Sequence, residues 1–210
     1  MLPLNAVYTP KRRIRARGRI RVEQLQEAAM ELLAAHELTA LTFKDVYERA
    51  GIPPGSAYHF FDNIESLFLS IVERSQADLL EYVAESAVLE NVTTWMDLLD
   101  ILVDRAVEFY NINIASRRIL TQSGINMGVV LDVDKRSGIK LEEVFDRHFI
   151  LPEMPDRTNF FVMAGKVAYL FITISISQYG NVVDDLRIEI KAAMKGYLKM
   201  HLPEMLTKRQ

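Results

Sequence analysis

Apolar residues recur at three- and four-residue spacing along most of the chain, and period-two alternation is scarce, so the pattern predicts helices rather than strands. Val22, Leu25, Ala29, Leu32 and Leu33 share one face of a first helix, about 19–35. Thr42 is well placed to cap a second, short helix. That helix buries Phe43, Val46 and Ala50 and stops at Gly51, a residue that tolerates left-handed backbone. Pro53 and Pro54 force an extended approach, and proline is tolerated at the first helical position, which places a third helix at 54–60. Asp62 or Asn63 caps a long fourth helix, about 64–89; Asp62 with Glu65 has capping-box spacing. Thr94 caps a fifth helix, about 95–110, and a sixth spans about 114–123 before Gly124, Asn126 and Gly128 loosen the chain. A seventh helix, about 133–149, ends before Pro152; an eighth spans 156–179; a ninth spans 183–202 and ends before Pro203. The expected fold is all-α, nine helices with a small head and a larger body.

Composition narrows the class. The chain has 210 residues, half hydrophobic and a quarter charged, which is ordinary globular usage. It contains no cysteine, so disulfides, thiolate metal sites and cysteine nucleophiles are excluded, in keeping with a cytoplasmic location. Residues 1–10 do not form a signal peptide, because no apolar run follows the basic one. The apolar stretch 160–177 carries Lys166 and several Ser and Thr, and reads as a buried helix rather than a membrane span. His36, His59, His148 and His201 are scattered without i, i+4 pairing, so no metal site is expected. No nucleophile–base pair and no phosphate-binding glycine loop is present, so neither an enzyme nor a cofactor is expected.

Charge adds a partner. Lys11, Arg12, Arg13, Arg15, Arg17, Arg19 and Arg21 lie together with no acid among them, leaving 18 Lys and Arg against 28 Asp and Glu elsewhere. A concentrated basic arm on an acidic body reads either as a polyanion contact or as a solvated tail. The segment TFKDVYERAGIPPGSAYHFFDNIESLF, residues 42–68, favours the first reading. Two short helices about a glycine turn make a helix-turn-helix. The second is small and polar outside (Gly55, Ser56, Tyr58, His59) and apolar inside (Ala57, Phe60, Phe61). Small residues let backbone approach the major groove, and polar-tipped aromatics can bond phosphates beside it.

These residues resemble the TetR family of bacterial regulators. The resemblance rests on Thr42, Asp45-Val46, Ala50-Gly51-Ile52, Gly55-Ser56, Tyr58-His59, Phe61, Glu65 and Leu67, without a gap, and covers about 19–68. Behind the basic arm that the charge pattern marks, expected to be disordered over 1–18, it implies a helix-turn-helix DNA-binding domain at 19–66 and an effector-binding and dimerisation domain at 67–210. It implies that Thr42 caps its helix, alone or while touching a phosphate. Lys44 and Tyr58 would meet phosphates, His59 a phosphate or base, Gly55 and Ser56 base edges, and Arg15, Arg17 and Arg19 the backbone or minor groove. Four positions depart from the family pattern. Glu37 stands for a glycine closing the first helix, Pro53 for a Ser or Thr cap, Pro54 for a polar or basic residue, and Ile64 for a lysine.

The eighth and ninth helices are the expected homodimer interface, through Phe161, Ala164, Ala168, Phe171, Ile190, Met194 and Tyr197, with a four-helix two-fold contact. Two-fold symmetry would make the DNA partner a palindromic operator. Trp95, Tyr110, Asn113, Arg117, Gln122, Asn126 and Met163 are the candidate lining of a pocket for a largely apolar effector; an arginine at 117 or 118 could hold a carboxylate. The implied function is a ligand-released regulator, a repressor by analogy. The alternative is a DNA-binding protein of the same fold controlled by a protein partner.

The departures at Pro54 and Ile64 remove cations from the head, and the arm is the expected compensation. Deleting residues 1–16 should lower duplex affinity and flatten its salt dependence, by about 0.9 in log–log slope for each phosphate that the arm neutralises. A salt titration read by fluorescence anisotropy checks this; unchanged slope and affinity would remove the arm's role.

Overall fold

The computed structural model describes residues 16–85, 92–121 and 127–209, with side chains at 18–85, 92–121 and 135–209. Arg15, Gln122, Asn126 and the Arg17 side chain, all singled out above, lie outside the described residues. Nine α-helices occur among the described residues: α1 (Ala16–Ala35), α2 (Phe43–Arg49), α3 (Pro54–Phe60), α4 (Ile64–Glu85), α5 (Trp95–Ile112), α6 (Ile114–Thr121), α7 (Met127–His148), α8 (Arg157–Tyr179) and α9 (Asp184–Leu198). The only β-pairing among them is an isolated bridge between Phe149 and Lys208. The helical class and the order of elements agree with the pattern. The ends differ most at α7, which begins at Met127 rather than near 133, and at α9, which stops at Leu198.

Side chains set several helix ends. Thr42 accepts from the Asp45 amide at 3.2 Å while Asp45 accepts from the Thr42 amide at 2.9 Å, a reciprocal capping box. Thr94 and Asp97 repeat the device at α5. At α4 the cap is Asn63, whose Oδ1 accepts from the Ser66 amide at 2.8 Å. The Asp62–Glu65 spacing is thus not the one used; the box forms one residue later.

The chain divides into two compact units. The first holds α1–α3, α4 as far as Ser75, and α6. Its core is built by Leu25, Ala29 and Leu33 from α1, Phe43 and Val46 from α2, Ala57 from α3, Leu67, Phe68 and Ile71 from α4, and Ala115 and Ile119 from α6, with Ile52 and Phe61 from the connections. Polar groups inside it are paired: Gln26 donates to the Ser70 hydroxyl at 3.0 Å, and Ser75 and Ser116 share a 3.0 Å bond.

The end of α1 shows how one departure is accommodated. With Glu37 in place of a glycine, the last carbonyls of α1 lack the usual left-handed cap. Arg118 of α6 supplies donors instead, at 2.8 Å to both the Leu33 and His36 carbonyls, and lies 3.8 Å from the Glu37 carboxylate.

The second unit holds the rest of α4, α5, α8, α9 and most of α7. Here α9 packs against both α5 and α8. Asp100 meets Lys195 at 2.6 Å and Asp104 meets Lys191 at 2.7 Å, a ladder of opposite charges between α5 and α9. Phe160 stacks on Tyr197 at 5.2 Å. By length and apolar composition α8 could cross a membrane. In this unit, however, Phe160, Phe161, Val162, Ala164, Ile172 and Ile176 are buried in protein.

Gly138 of α7 allows α8 to come close. A Cβ built there would lie 2.5 Å from the Val162 backbone. Gly138→Ala should therefore destabilise the protein by about 1–3 kcal/mol through overpacking, against the gain in helix propensity. Chemical denaturation checks this; a higher midpoint would show that the two backbones separate freely.

Candidate nucleic-acid interface

The turn between α2 and α3 is set by Gly51, whose φ of 65° lies in the left-handed region that a side chain resists. The Ile52 amide then bonds back to the Tyr47 carbonyl at 2.9 Å, and its side chain is buried. Pro53 adopts extended backbone, and its carbonyl accepts from the Ser56 and Ala57 amides at 2.9 and 3.1 Å. No side chain caps α3; Pro54 at its first position needs none for its own nitrogen.

The two faces of α3 differ in kind. Ala57, and Phe61 just past the helix, are 0% and 1% exposed and anchor it in the unit's core. Gly55, Tyr58 and His59 face outward, with Ser56 half-buried. A Cβ placed on Gly55 would meet nothing within 4 Å, so the fold does not require glycine there. Tyr58 is 51% exposed, and its ring packs edge-on against Phe43 at 5.0 Å. That contact leaves the ring supported on α2.

The flanking groups are charged or polar. Thr42 is exposed at the start of α2, but its hydroxyl donates to Asp45 at 2.6 Å. That bond and the Thr42 amide hold the Asp45 carboxyl below the ordinary carboxylate range. A folded value below the unfolded one contributes stability above the unfolded value and loses it as pH falls through the folded one. Lys44 is exposed and pairs loosely with Glu48 at 3.7 Å, a surface contact easily exchanged for a phosphate. Arg19 is exposed on α1. Arg21, one α1 turn before the buried Leu25, donates to the Ser56 hydroxyl at 2.8 Å. The sequence pattern counted Arg21 in the basic run but gave no reason to link it to α3, since the two residues are 35 apart.

The described pocket candidates divide between the two units. Trp95 is 0% exposed, and its indole donates to the Pro203 carbonyl at 2.8 Å. Tyr110 is buried against Phe109, while Met163 is 41% exposed on α8; all three belong to the second unit. Asn113 and Arg117 are half-buried in the first unit, where Asn113 begins α6. An open groove of about 770 Å³ beside the start of α8 is lined by Glu142, Glu153, Asp156, Arg157 and Thr158 among others, and holds none of these candidates.

Of the residues expected at a subunit interface, Phe161, Ala164, Ile190 and Met194 are 0–3% exposed within the single chain, and Ala168, Phe171 and Tyr197 are half-buried. The first four hold the second unit together. The apolar surface that α8 and α9 leave open is a different set: Met163, Leu170, Ile174 and Ile188, 41%, 57%, 37% and 61% exposed. On the same two helices Gly165 and Gly196 each face open space.

Residues 25–71 match the model of the bacterial regulatory proteins of the tetR family. No curated protein sequence matches the chain. Solved structures share the fold. A TetR-family transcriptional regulator from Streptomyces coelicolor superposes with a TM-score of 0.68 at 21% identity, covering 87% of this chain and 99% of its own. One from Pectobacterium atrosepticum gives 0.66 at 16% identity, covering 90% and 98%. RolR in complex with the ligand resorcinol gives 0.64 at 18% identity, covering 88% and 89%.

Because Gly55 faces open space, Gly55→Leu should leave folding intact and block close approach to the outer face of α3. The expected pair of results is an unfolding free energy within about 0.5 kcal/mol of the parent and loss of duplex binding at low salt. Retained duplex affinity with normal stability would show that DNA does not meet this face.

Proposed function

We propose that this chain belongs to the tetR family of bacterial regulatory proteins and is a homodimeric, cytoplasmic transcriptional regulator that binds an inverted-repeat operator and is released from it by a small molecule. The observation that carries the reading is the outer face of α3. It is small at Gly55, polar at Ser56, Tyr58 and His59, and freed from folding duty because Ala57 and Phe61 anchor the other side. In this reading Gly55 and Ser56 meet base edges, while Thr42, Lys44, Tyr58 and His59, with Arg15, Arg17 and Arg19, meet the backbone. For Thr42 the phosphate contact requires its hydroxyl to leave Asp45.

Dimerisation supplies the second recognition helix. Leu170 and Ile174 on α8, Ile188 on α9, and the open glycines Gly165 and Gly196 suit a two-fold helix-packing contact in which small residues admit a neighbouring helix. Two such heads read two half-sites related by symmetry.

Control by a ligand follows from population shift. A ligand favouring a body conformation that misplaces the heads lowers operator affinity only by its differential affinity for the two states. Operator must weaken that ligand to the same degree. RolR, which shares the fold, was solved with resorcinol, and an aromatic or largely apolar molecule accords with the lining expected here. Repression is the expected sign, since an occupied operator blocks polymerase.

Two measurements test this. Sedimentation at micromolar concentration should show a dimer for the native chain and a monomer for Leu170→Glu; a native monomer would reject the two-fold model. Thermal shift against a metabolite panel, with and without operator, should find a compound whose affinity falls when DNA is bound. A panel without hits, alongside capture of a specific protein, would favour regulation by a partner instead.

A further inference from the structure

We infer that Arg21 fixes Ser56 as an outward hydrogen-bond donor and thereby sets the base preference at one position of each half-site. The inference rests on the DNA-reading role proposed for α3. A serine hydroxyl is ambivalent, with one donor and two acceptor lone pairs, and alone it can face either kind of base edge. A guanidinium is donor-only and stays charged. In the 2.8 Å contact from the Arg21 Nη1 to the Ser56 Oγ, the hydroxyl must therefore be the acceptor. Its own hydrogen is turned away from Arg21, and the adjacent cation polarises the O–H and weakens the one lone pair that is left, so outward donation is favoured over acceptance.

No described residue uses that hydrogen or competes for the guanidinium. Among the described residues the Ser56 hydroxyl has no acceptor, and Arg21 pairs with no carboxylate. Ser56 lies half-buried next to Gly55, where an added Cβ would meet nothing within 4 Å. Leu25, one turn further along α1, is 0% exposed in the unit's core, so the backbone carrying Arg21 is held in place.

An outward donor favours acceptors. In the major groove these are guanine N7 and O6, adenine N7 and thymine O4, whereas cytosine offers only its amino donor. At the base that Ser56 faces, cytosine is therefore selected against. Arg21 is a positioning residue in this scheme; its remaining donors are available to a phosphate.

Selection of bound sites from a random duplex pool tests the pair, using the native chain, Arg21→Met, Ser56→Ala and the double variant. Both side chains lie outside the core, so all four proteins should melt alike. The native chain is expected to enrich an inverted repeat with cytosine depleted roughly tenfold at one position per half-site, the usual scale of a single mismatch. Ser56→Ala should erase that depletion, Arg21→Met should erase it at the same position, and the double variant should add nothing further. If Arg21→Met weakens all sequences alike and keeps the depletion, Arg21 acts as a charge only and the inference is overturned. A Ser56→Ala profile identical to the native one overturns it as well. If the native chain enriches no site at all, the DNA-reading role itself fails, a result distinct from either of these.

Discussion

The burial of Ala57 and Phe61 is the contact on which the rest of this protein's account stands. A seven-residue helix is too short to persist alone in water, because nucleation costs more than so few bonds return. α3 exists as a helix, and faces outward, because these two side chains fit a core already assembled by α1, α2, α4 and α6. The left-handed Gly51 aims the chain into that seat, and the T-shaped contact of Tyr58 on Phe43 steadies it from the side. Most of the opposite face is then spared from the core, and it is free to serve recognition.

Local punctuation made this head legible from sequence. Pro54 at a helix start, Gly51 at a turn and Thr42 three residues before Asp45 are short-range signals whose physics needs no knowledge of the rest of the chain. α3 accordingly begins and ends where the pattern predicts. The cap of α4 is less legible because Asp62 and Asn63 each have a partner at the right spacing, and the pattern does not say that Asn63 with Ser66 forms it. Contacts between distant segments were not legible at all. Arg118 reaches carbonyls more than 80 residues away and Arg21 reaches Ser56 across 35, distances over which periodicity carries no information. Gly138 reads as a weak point in a helix until Val162 is seen against it.

α8 shows a different limit. Its apolar residues run around most of the helix, and such a helix must be covered on several sides. The pattern cannot say which side belongs to the chain's own core and which to a second copy. The structure gives Phe161 and Ala164 to the core and leaves Leu170 and Ile174 in the open. The ligand candidates suffer similarly, since a polar residue among apolar neighbours is equally a pocket wall, a helix start such as Asn113, or a structural tie such as the Trp95 indole on Pro203. The association of α6 with the head's unit, through Ser116 on Ser75 and Arg118 on α1, shows how polar ties can decide which unit a helix joins.

The central claim is that duplex DNA meets the outer face of α3. Oxidative footprinting with mass-spectrometric readout, on the native chain with and without a duplex enriched by selection, addresses it at single residues. Tyr58 and His59 should become protected on binding, while Met200 and Met205, both 71% exposed in the second unit, keep their reactivity. Unchanged oxidation of Tyr58 and His59 in a saturated complex would contradict the account.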